Sequence, residues 1–180
     1  MKTILAFGAS NSTTSINAHL AAYACRQFSS INCNILDLND FEMPIFSIDR
    51  ENAHGIPELA HRFKHHIRTA DAILISFAEH NGSYSVAFKN ILDWTSRIER
   101  SMWLDKPMCL LATSPGGRGA KSVLQAALDR FPHMNAKIIS HFSLPRFSDN
   151  FDEQNGITHI EYAPQFFAAL QKFKDHLKIP

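Results

Sequence analysis

Short, nearly continuous apolar runs alternate along the chain with longer stretches in which apolar residues recur every three or four positions. The apolar runs, residues 3–7, 32–38, Ala72–Phe77, 107–113 and 136–140, read as strands. The periodic stretches, about 15–28, 57–69, 85–98, 119–131 and roughly 158–177, read as helices. In 57–69, Leu59, Phe63 and Ile67 stand four apart; in 85–98, Phe88, Ile91, Leu92, Thr95 and Ile98 share one face. The near-unbroken run AILISF at 72–77 predicts a strand covered on both faces. Five strand–helix alternations with right-handed crossovers predict an α/β fold, an open parallel sheet between two helix layers. No repeat or linker interrupts the pattern, which predicts one domain over residues 1–180. Segments 39–55 and 142–156 read as long loops, a length that in small domains goes with function or interfaces.

Ligands of such sheets gather at the carboxyl ends of the strands. The loops after the first, third and fourth strands are all unusual there. The first, GASNSTTSIN, crowds Ser10, Ser12, Thr14 and Ser15 ahead of Ile16 and Asn17 at a helix start. Free N–H groups and the helix dipole favour an anion at that point, with hydroxyls and the Asn17 amide as further donors. The loop holds neither Gly-Lys-Ser/Thr nor Gly-x-Gly-x-x-Gly, so nucleoside triphosphate and dinucleotide loops are not indicated. What remains is a seat for one phosphate monoester, or else hydroxyls that cap a helix. The second loop, Glu79, His80, Asn81, Gly82 and Ser83, offers hydrogen bonds, a flat ring and a glycine able to take positive φ. It suits a planar ligand, or a turn before a Ser-capped helix. The third, Ser114, Pro115, Gly116, Gly117 and Arg118, leaves backbone N–H groups bare. It puts Arg118 in the expected first turn of a helix, where a cation is slightly disfavoured. The reading there is an electron-rich ligand or a Pro-Gly turn.

Composition narrows the field. Lys+Arg number 18 and Asp+Glu 17, giving a net charge of +1. That balance gives no electrostatic case for nucleic acid or an anionic membrane, and no apolar run approaches the ~18 residues of a membrane span. The opening MKTILAFGAS passes straight into a polar loop and reads as a strand rather than a secretory signal. Cys25, Cys33 and Cys109 are scattered without metal spacing, as expected of a reduced, cytoplasmic protein. His61 and His65 have a metal-ligand spacing, but Arg62, Lys64 and Arg68 around them favour a solvated helix face. No metal site is expected.

Together the three loops resemble the NADPH-dependent FMN reductase family, a flavodoxin-like group with azo, quinone and chromate reductase members. The resemblance rests on the residues from Ser10 to Asn17, on Glu79, Asn81, Gly82, Ser83, Lys89, Asn90, Asp93 and Trp94, and on SPGGRG at 114–119. The stretch 43–57 looks like the family's second loop. The resemblance implies a three-layer sandwich with strand order 2-1-3-4-5. It implies bound FMN, with the first loop on the phosphate, 79–83 on ribityl and isoalloxazine, and 114–118 beyond the ring. NADPH or NADH would pass hydride to the flavin and on to a small acceptor: a quinone, azo compound, metal oxyanion or free flavin. The N–H groups of Gly116 and Gly117 would face the charge gathering on reduced flavin, and no side chain is nominated as catalytic. The resemblance also implies a homodimer or tetramer, with some of Trp94, Trp103 and 142–156 at the interface. The chain departs from the family pattern at Ser12, where Arg is frequent, and at His80, where Tyr is usual. An imidazole changes charge near neutrality, so activity is expected to vary between pH roughly 6 and 7.5. The alternative is an FMN-binding electron carrier or sensor without NAD(P)H turnover. Such carriers tend to be strongly acidic, unlike this chain.

Overall fold

A computed structural model describes residues 2–179. Five parallel strands form the central sheet: β1 (Thr3–Ala9), β2 (Asn32–Leu36), β3 (Ala72–Phe77), β4 (Lys106–Thr113) and β5 (Ala136–Leu144). Their order is β2-β1-β3-β4-β5, the predicted 2-1-3-4-5. Seven helices connect and cover them: α1 (Ile16–Arg26), α2 (Ile48–His54), α3 (Glu58–Thr69), α4 (Val86–Ser96), α5 (Lys121–Arg130), α6 (Phe147–Asn150) and α7 (Tyr162–Leu177).

The strand period of two sorts the core into two layers. Leu5, Phe7, Ile73, Ile75 and Leu110 point to one face and pack with Phe63 and Ile67 of α3, Phe88 and Ile91 of α4 and Val123 of α5. Ile4, Ala6, Leu74, Cys109 and Leu111 point to the other, against Leu20 and Ala24 of α1 and Phe166 and Phe173 of α7. Each of the buried aromatic side chains removes ~150–250 Å² from water, and Trp94, Trp103, Phe63, Phe88, Phe131, Phe166 and Phe173 are all fully enclosed. The two tryptophans are therefore core residues, which corrects the expectation that they help form a subunit interface.

Other boundaries move for physical reasons. β5 continues to Leu144 because it is an edge strand whose buried positions, Ser140, Phe142 and Leu144, alternate with more exposed ones. Polar His141 and Ser143 make that stretch look like loop. The rest of 142–156 carries α6 and a small antiparallel pair, Phe151–Asp152 with Gly156–Ile157. Segment 39–55 contains α2, which buries no residue and so has no apolar stripe to reveal it. Ser47 caps that helix through Arg50 N–H, and an Arg97–Glu51 ion pair at 2.9 Å ties it to the end of α4. α5 begins at Lys121, so Arg118 stands in the turn before the helix rather than in its first turn. α7 starts at Tyr162, four residues later than the pattern suggested.

Candidate functional site

The site begins with the approach of α1 to the sheet. A Cβ at Gly8 would lie 2.4 Å from the backbone nitrogen of Ala18 and 2.7 Å from its Cα. Only glycine lets the first turn of α1 sit directly on the end of β1. Asn17 then locks the helix in place. Its Oδ1 accepts from Ser76 Oγ at 2.8 Å and from Thr113 N–H at 3.1 Å, and its Nδ2 donates to Thr113 O at 3.1 Å. One buried amide thereby bridges α1, β3 and β4 at the strand tips. The Asn17 side chain is spent inward, so its amide is not the free donor expected from the sequence; its backbone N–H, like that of Ile16, lacks an intrahelical acceptor.

Of the hydroxyls, Ser15 caps α1 by accepting from Ala18 N–H at 3.2 Å. Ser10 Oγ accepts from Ser12 N–H at 3.1 Å, and Ser12 Oγ lies 3.4 Å from both Thr14 N and Thr14 Oγ1. The two N–H contacts use hydroxyl lone pairs, and the contact between the Ser12 and Thr14 hydroxyls uses the proton of one of them; the Ser10 hydroxyl and the other of that pair keep a proton to donate. Ile16 and Asn17 hold the first two positions of α1, where N–H groups lack intrahelical acceptors. The result is a concave set of neutral donors with no cation among them.

The second loop is a two-residue hairpin. Glu79 and His80 pair with Tyr84 and Ser83, and Asn81 (φ 51°) and Gly82 (φ 75°) form the turn. Positive φ at both positions is the Asn-Gly hairpin signature. Glu79 Oε2 accepts from Val123 N–H at 3.0 Å, in the first turn of α5, where a carboxylate also complements the helix dipole. Below the hairpin, Ser85 Oγ donates to Ala9 O at 2.8 Å and accepts from Phe88 N–H at 3.2 Å, which caps α4 and joins it to β1.

The third loop is held from β5. Gly116 O accepts from Gly119 N–H at 3.3 Å and Arg146 N–H at 3.0 Å, and Ser114 O accepts from Phe147 N–H at 3.1 Å. Arg118 Nη2 contacts Ser122 Oγ at 3.2 Å. Thr113 Oγ1 donates to Leu144 O at 2.7 Å at the root of the loop.

A cavity of about 250 Å³ opens where the loops meet, lined by Ser10, Ser12, Thr14, Ser15, Ile16 and Asn17 from the first, Ala78, Glu79 and His80 from the second, and Thr113, Ser114 and Pro115 from the third. Asn81, Gly82 and Ser83 lie at the hairpin tip outside it, and Gly116, Gly117 and Arg118 lie beyond Pro115. His80 also lines a second cavity of about 240 Å³, with Asn11, Met43, Ile45, Val86, Asn90 and others. That second cavity was only partly foreshadowed, by the 43–57 stretch. Its wall is fixed by Asn90, whose Oδ1 accepts from Phe46 N–H at 2.8 Å and whose Nδ2 donates to Met43 O at 3.0 Å. Trp94 Nε1 donates to Pro44 O at 2.7 Å, and Lys89 pairs with Asp93 at 2.7 Å. Asn90 and Trp94 thus brace segment 43–46, while Lys89 and Asp93 pair with each other along α4. Ser85 caps α4, as one reading of the second loop had it, whereas Ser76, the clamp at Thr113 and the close approach at Gly8 were not singled out from the sequence. For Gly8 the available signal was its place at the end of a buried strand just before a helix.

A doubly wound parallel sheet with a polar cavity over its central strand tips defines the class: an α/β fold of the kind whose ligands gather at the topological switch point. The chain belongs to the NADPH-dependent FMN reductase family, which it matches over residues 2–149. An NADPH:quinone oxidoreductase of Arabidopsis thaliana is 36% identical over 80 residues, 44% of this chain and 40% of the relative. A 2-hydroxy-1,4-benzoquinone reductase of Burkholderia sp is 36% identical over 107 residues, 58% of this chain and 56% of the relative. The chain thus spans about half the length of the curated relatives it matches. FerB, a flavoenzyme NAD(P)H:(acceptor) oxidoreductase from Paracoccus denitrificans, is similar in structure with a TM-score of 0.78 at 23% identity, over 99% of this chain and 98% of that one. The apo form of the NADH:FMN oxidoreductase EMOB gives 0.75 at 18% identity, over 100% and 91%. At such identities the likeness establishes the flavodoxin-like fold.

Proposed function

We propose that the protein is an FMN-dependent NAD(P)H oxidoreductase acting on a quinone or related small acceptor. The observation that carries this reading is the convergence of three loops on one 250 Å³ cavity floored by uncommitted donors. Those donors fit a phosphate monoester: the hydroxyls of Ser10 and of one of the Ser12–Thr14 pair and the N–H groups of Ile16 and Asn17, with Glu79, the carboxylate lining the cavity, occupied by Val123. His80 and the backbone of 114–117 would border the flavin ring. Bound FMN supplies the two-electron chemistry that no side chain here offers. The chain's part is to seat the phosphate, present the ring beside His80, and aim the Gly116 and Gly117 N–H groups where negative charge gathers.

A homodimer accompanies this reading. Ile45 (64% exposed), Val86 (68%) and Ile48 (52%) are large apolar side chains left open, and Ile45 and Val86 rim the second cavity. A second copy covering them would close the ring's outer side. Light scattering of the wild type and of Val86→Lys tests this: the variant becomes a monomer, and a monomeric wild type rejects it.

The decisive experiment is reconstitution with FMN, followed by anaerobic addition of NADPH or NADH and then a benzoquinone. Micromolar binding, bleaching of the flavin band and its return with quinone are expected. Absence of FMN binding refutes the site, and binding without bleaching by either nicotinamide refutes the enzyme.

A further inference from the structure

The fold brings together two of the three scattered cysteines. Cys25 lies in the last turn of α1 and Cys33 is the second residue of β2, with residues 26–32 making the connection. Cys33 points to the α1 side of the sheet, and its Sγ lies 3.8 Å from the Cys25 carbonyl oxygen. That contact, thiol to backbone carbonyl, sets the two cysteines side by side. Cys25 is buried and Cys33 half-buried, so oxidants in solution reach Cys33 first. Cys109 is fully buried in β4, away from solvent.

We propose that Cys25 and Cys33 are a redox-active thiol pair that a hydroperoxide converts to a reversible intrachain disulfide. The Cys33 thiolate attacks one peroxide oxygen, the O–O bond breaks, and hydroxide leaves, giving Cys33 sulfenic acid. The Cys25 sulfur then attacks the Cys33 sulfur. The S–S bond forms, the S–O bond breaks, and the hydroxyl departs as water with the Cys25 proton. Two thiols lose two electrons, and hydrogen peroxide ends as two waters.

Access assigns the order of attack, because Cys33 is half-buried and Cys25 buried. The neighbouring Cys25 thiol holds the Cys33 pKa below its ordinary value, and Cys33 and then burial hold that of Cys25 above it. Thiolate character and access together select the attacking sulfur. Burial holds Cys109 up at about 12, which makes it an internal control. The pair sits at the end of α1 opposite the loop that lines the cavity, ~15 Å away along the helix, so the cross-link leaves the strand tips intact.

Full-length reduced protein is treated with hydrogen peroxide, freed of peroxide, unfolded in guanidinium chloride so that every remaining thiol is accessible, blocked with N-ethylmaleimide and examined by intact mass and peptide mapping. The expected result is a loss of two hydrogens, one alkylated thiol (Cys109), a linked peptide pair containing Cys25 and Cys33, and full reversal by dithiothreitol. In Cys25→Ser, dimedone labels Cys33; in Cys33→Ser, Cys25 remains an alkylatable thiol. Three alkylated thiols in peroxide-treated wild type, or a dimedone adduct on wild-type Cys33 in place of the cross-link, overturns the proposal, and oxidation of Cys25 in Cys33→Ser overturns the order of attack.

Discussion

Asn17→Ala is the sharpest test of how the strand tips are assembled. The substitution removes the acceptor of Ser76 Oγ and Thr113 N–H and the donor to Thr113 O, all in a buried setting where Asn17 itself is 2% exposed. The Ser76 hydroxyl can turn to another acceptor, but the two Thr113 backbone groups cannot move without disturbing β4. Each buried group left unpaired costs ~1–3 kcal/mol, so a loss of about 3 kcal/mol is expected from a total of ~5–15 kcal/mol. For a chain of this size that lowers Tm by ~6–12 °C. Urea unfolding of the flavin-free protein, followed by the fluorescence of the buried Trp94 and Trp103, measures it. Asn17→Asp is also expected to destabilise, because an oxygen would replace the donor facing Thr113 O. If flavin-free Asn17→Ala matched the wild type within ~0.5 kcal/mol while FMN affinity fell, Asn17 would be a ligand contact and the clamp argument would be wrong.

Three further outcomes follow from the same structure. Gly8→Ala would drive a Cβ to within 2.4 Å of the Ala18 backbone and push α1 off the sheet; ~1–3 kcal/mol of overpacking and weakened flavin binding are expected in urea and fluorescence titrations, and unchanged affinity rejects the idea that α1 seats the phosphate. Lys64 is buried with its Nζ on Ser101 O (2.7 Å), Met102 O (2.6 Å) and Glu99 (2.9 Å), and Glu99 keeps Arg68 when the lysine is removed; Lys64→Ala, which leaves the two carbonyls unpaired, is expected to lose ~2–3 kcal/mol by chemical denaturation, and a loss under ~1 kcal/mol denies that it anchors the 99–103 segment. Burial, then His65 and Arg62, hold His66 below its usual pKa, and its Nδ1 lies 3.2 Å from Asn34 Nδ2, beside the Phe41 ring. The unfolded chain therefore takes up this proton more readily, so stability is full above pH ~6.5 and declines as pH falls through the lowered folded value. Urea midpoints from pH 8 downwards should show a shallower decline in His66→Gln, and identical slopes refute the assignment.

The open parallel sheet was legible because apolar runs such as AILISF can be covered on both faces only inside such a sheet, and the helices between them leave few ways to wind; the strand order followed from the family resemblance. The general position of the site was legible for the same reason, from hydroxyl-rich and glycine-rich ends following strands one, three and four. What the residues did outside the cavity was harder to read. Asn17 looked like a donor to ligand, yet its neighbours in space, Ser76 and Thr113, are 59 and 96 positions away. Glu79 looked like part of a ligand loop, and its carboxylate engages a helix start 44 residues later. Long-range pairing of that kind leaves no local periodicity. Nor does α2, whose exposed turns carry no core stripe, or the end of β5, whose alternation on an edge strand imitates a loop.

On the proposed reading, the loop from Ser10 to Asn17 would hold a phosphate through dipoles fixed in the backbone rather than through formal positive charge. Contacts at hydrogen-bond range are shorter than the ~8–10 Å over which salt screens charges at ordinary ionic strength. A cofactor held this way would be little weakened by salt. Its occupancy would then follow the supply of flavin, while the docking of charged substrates nearby could respond to salt independently.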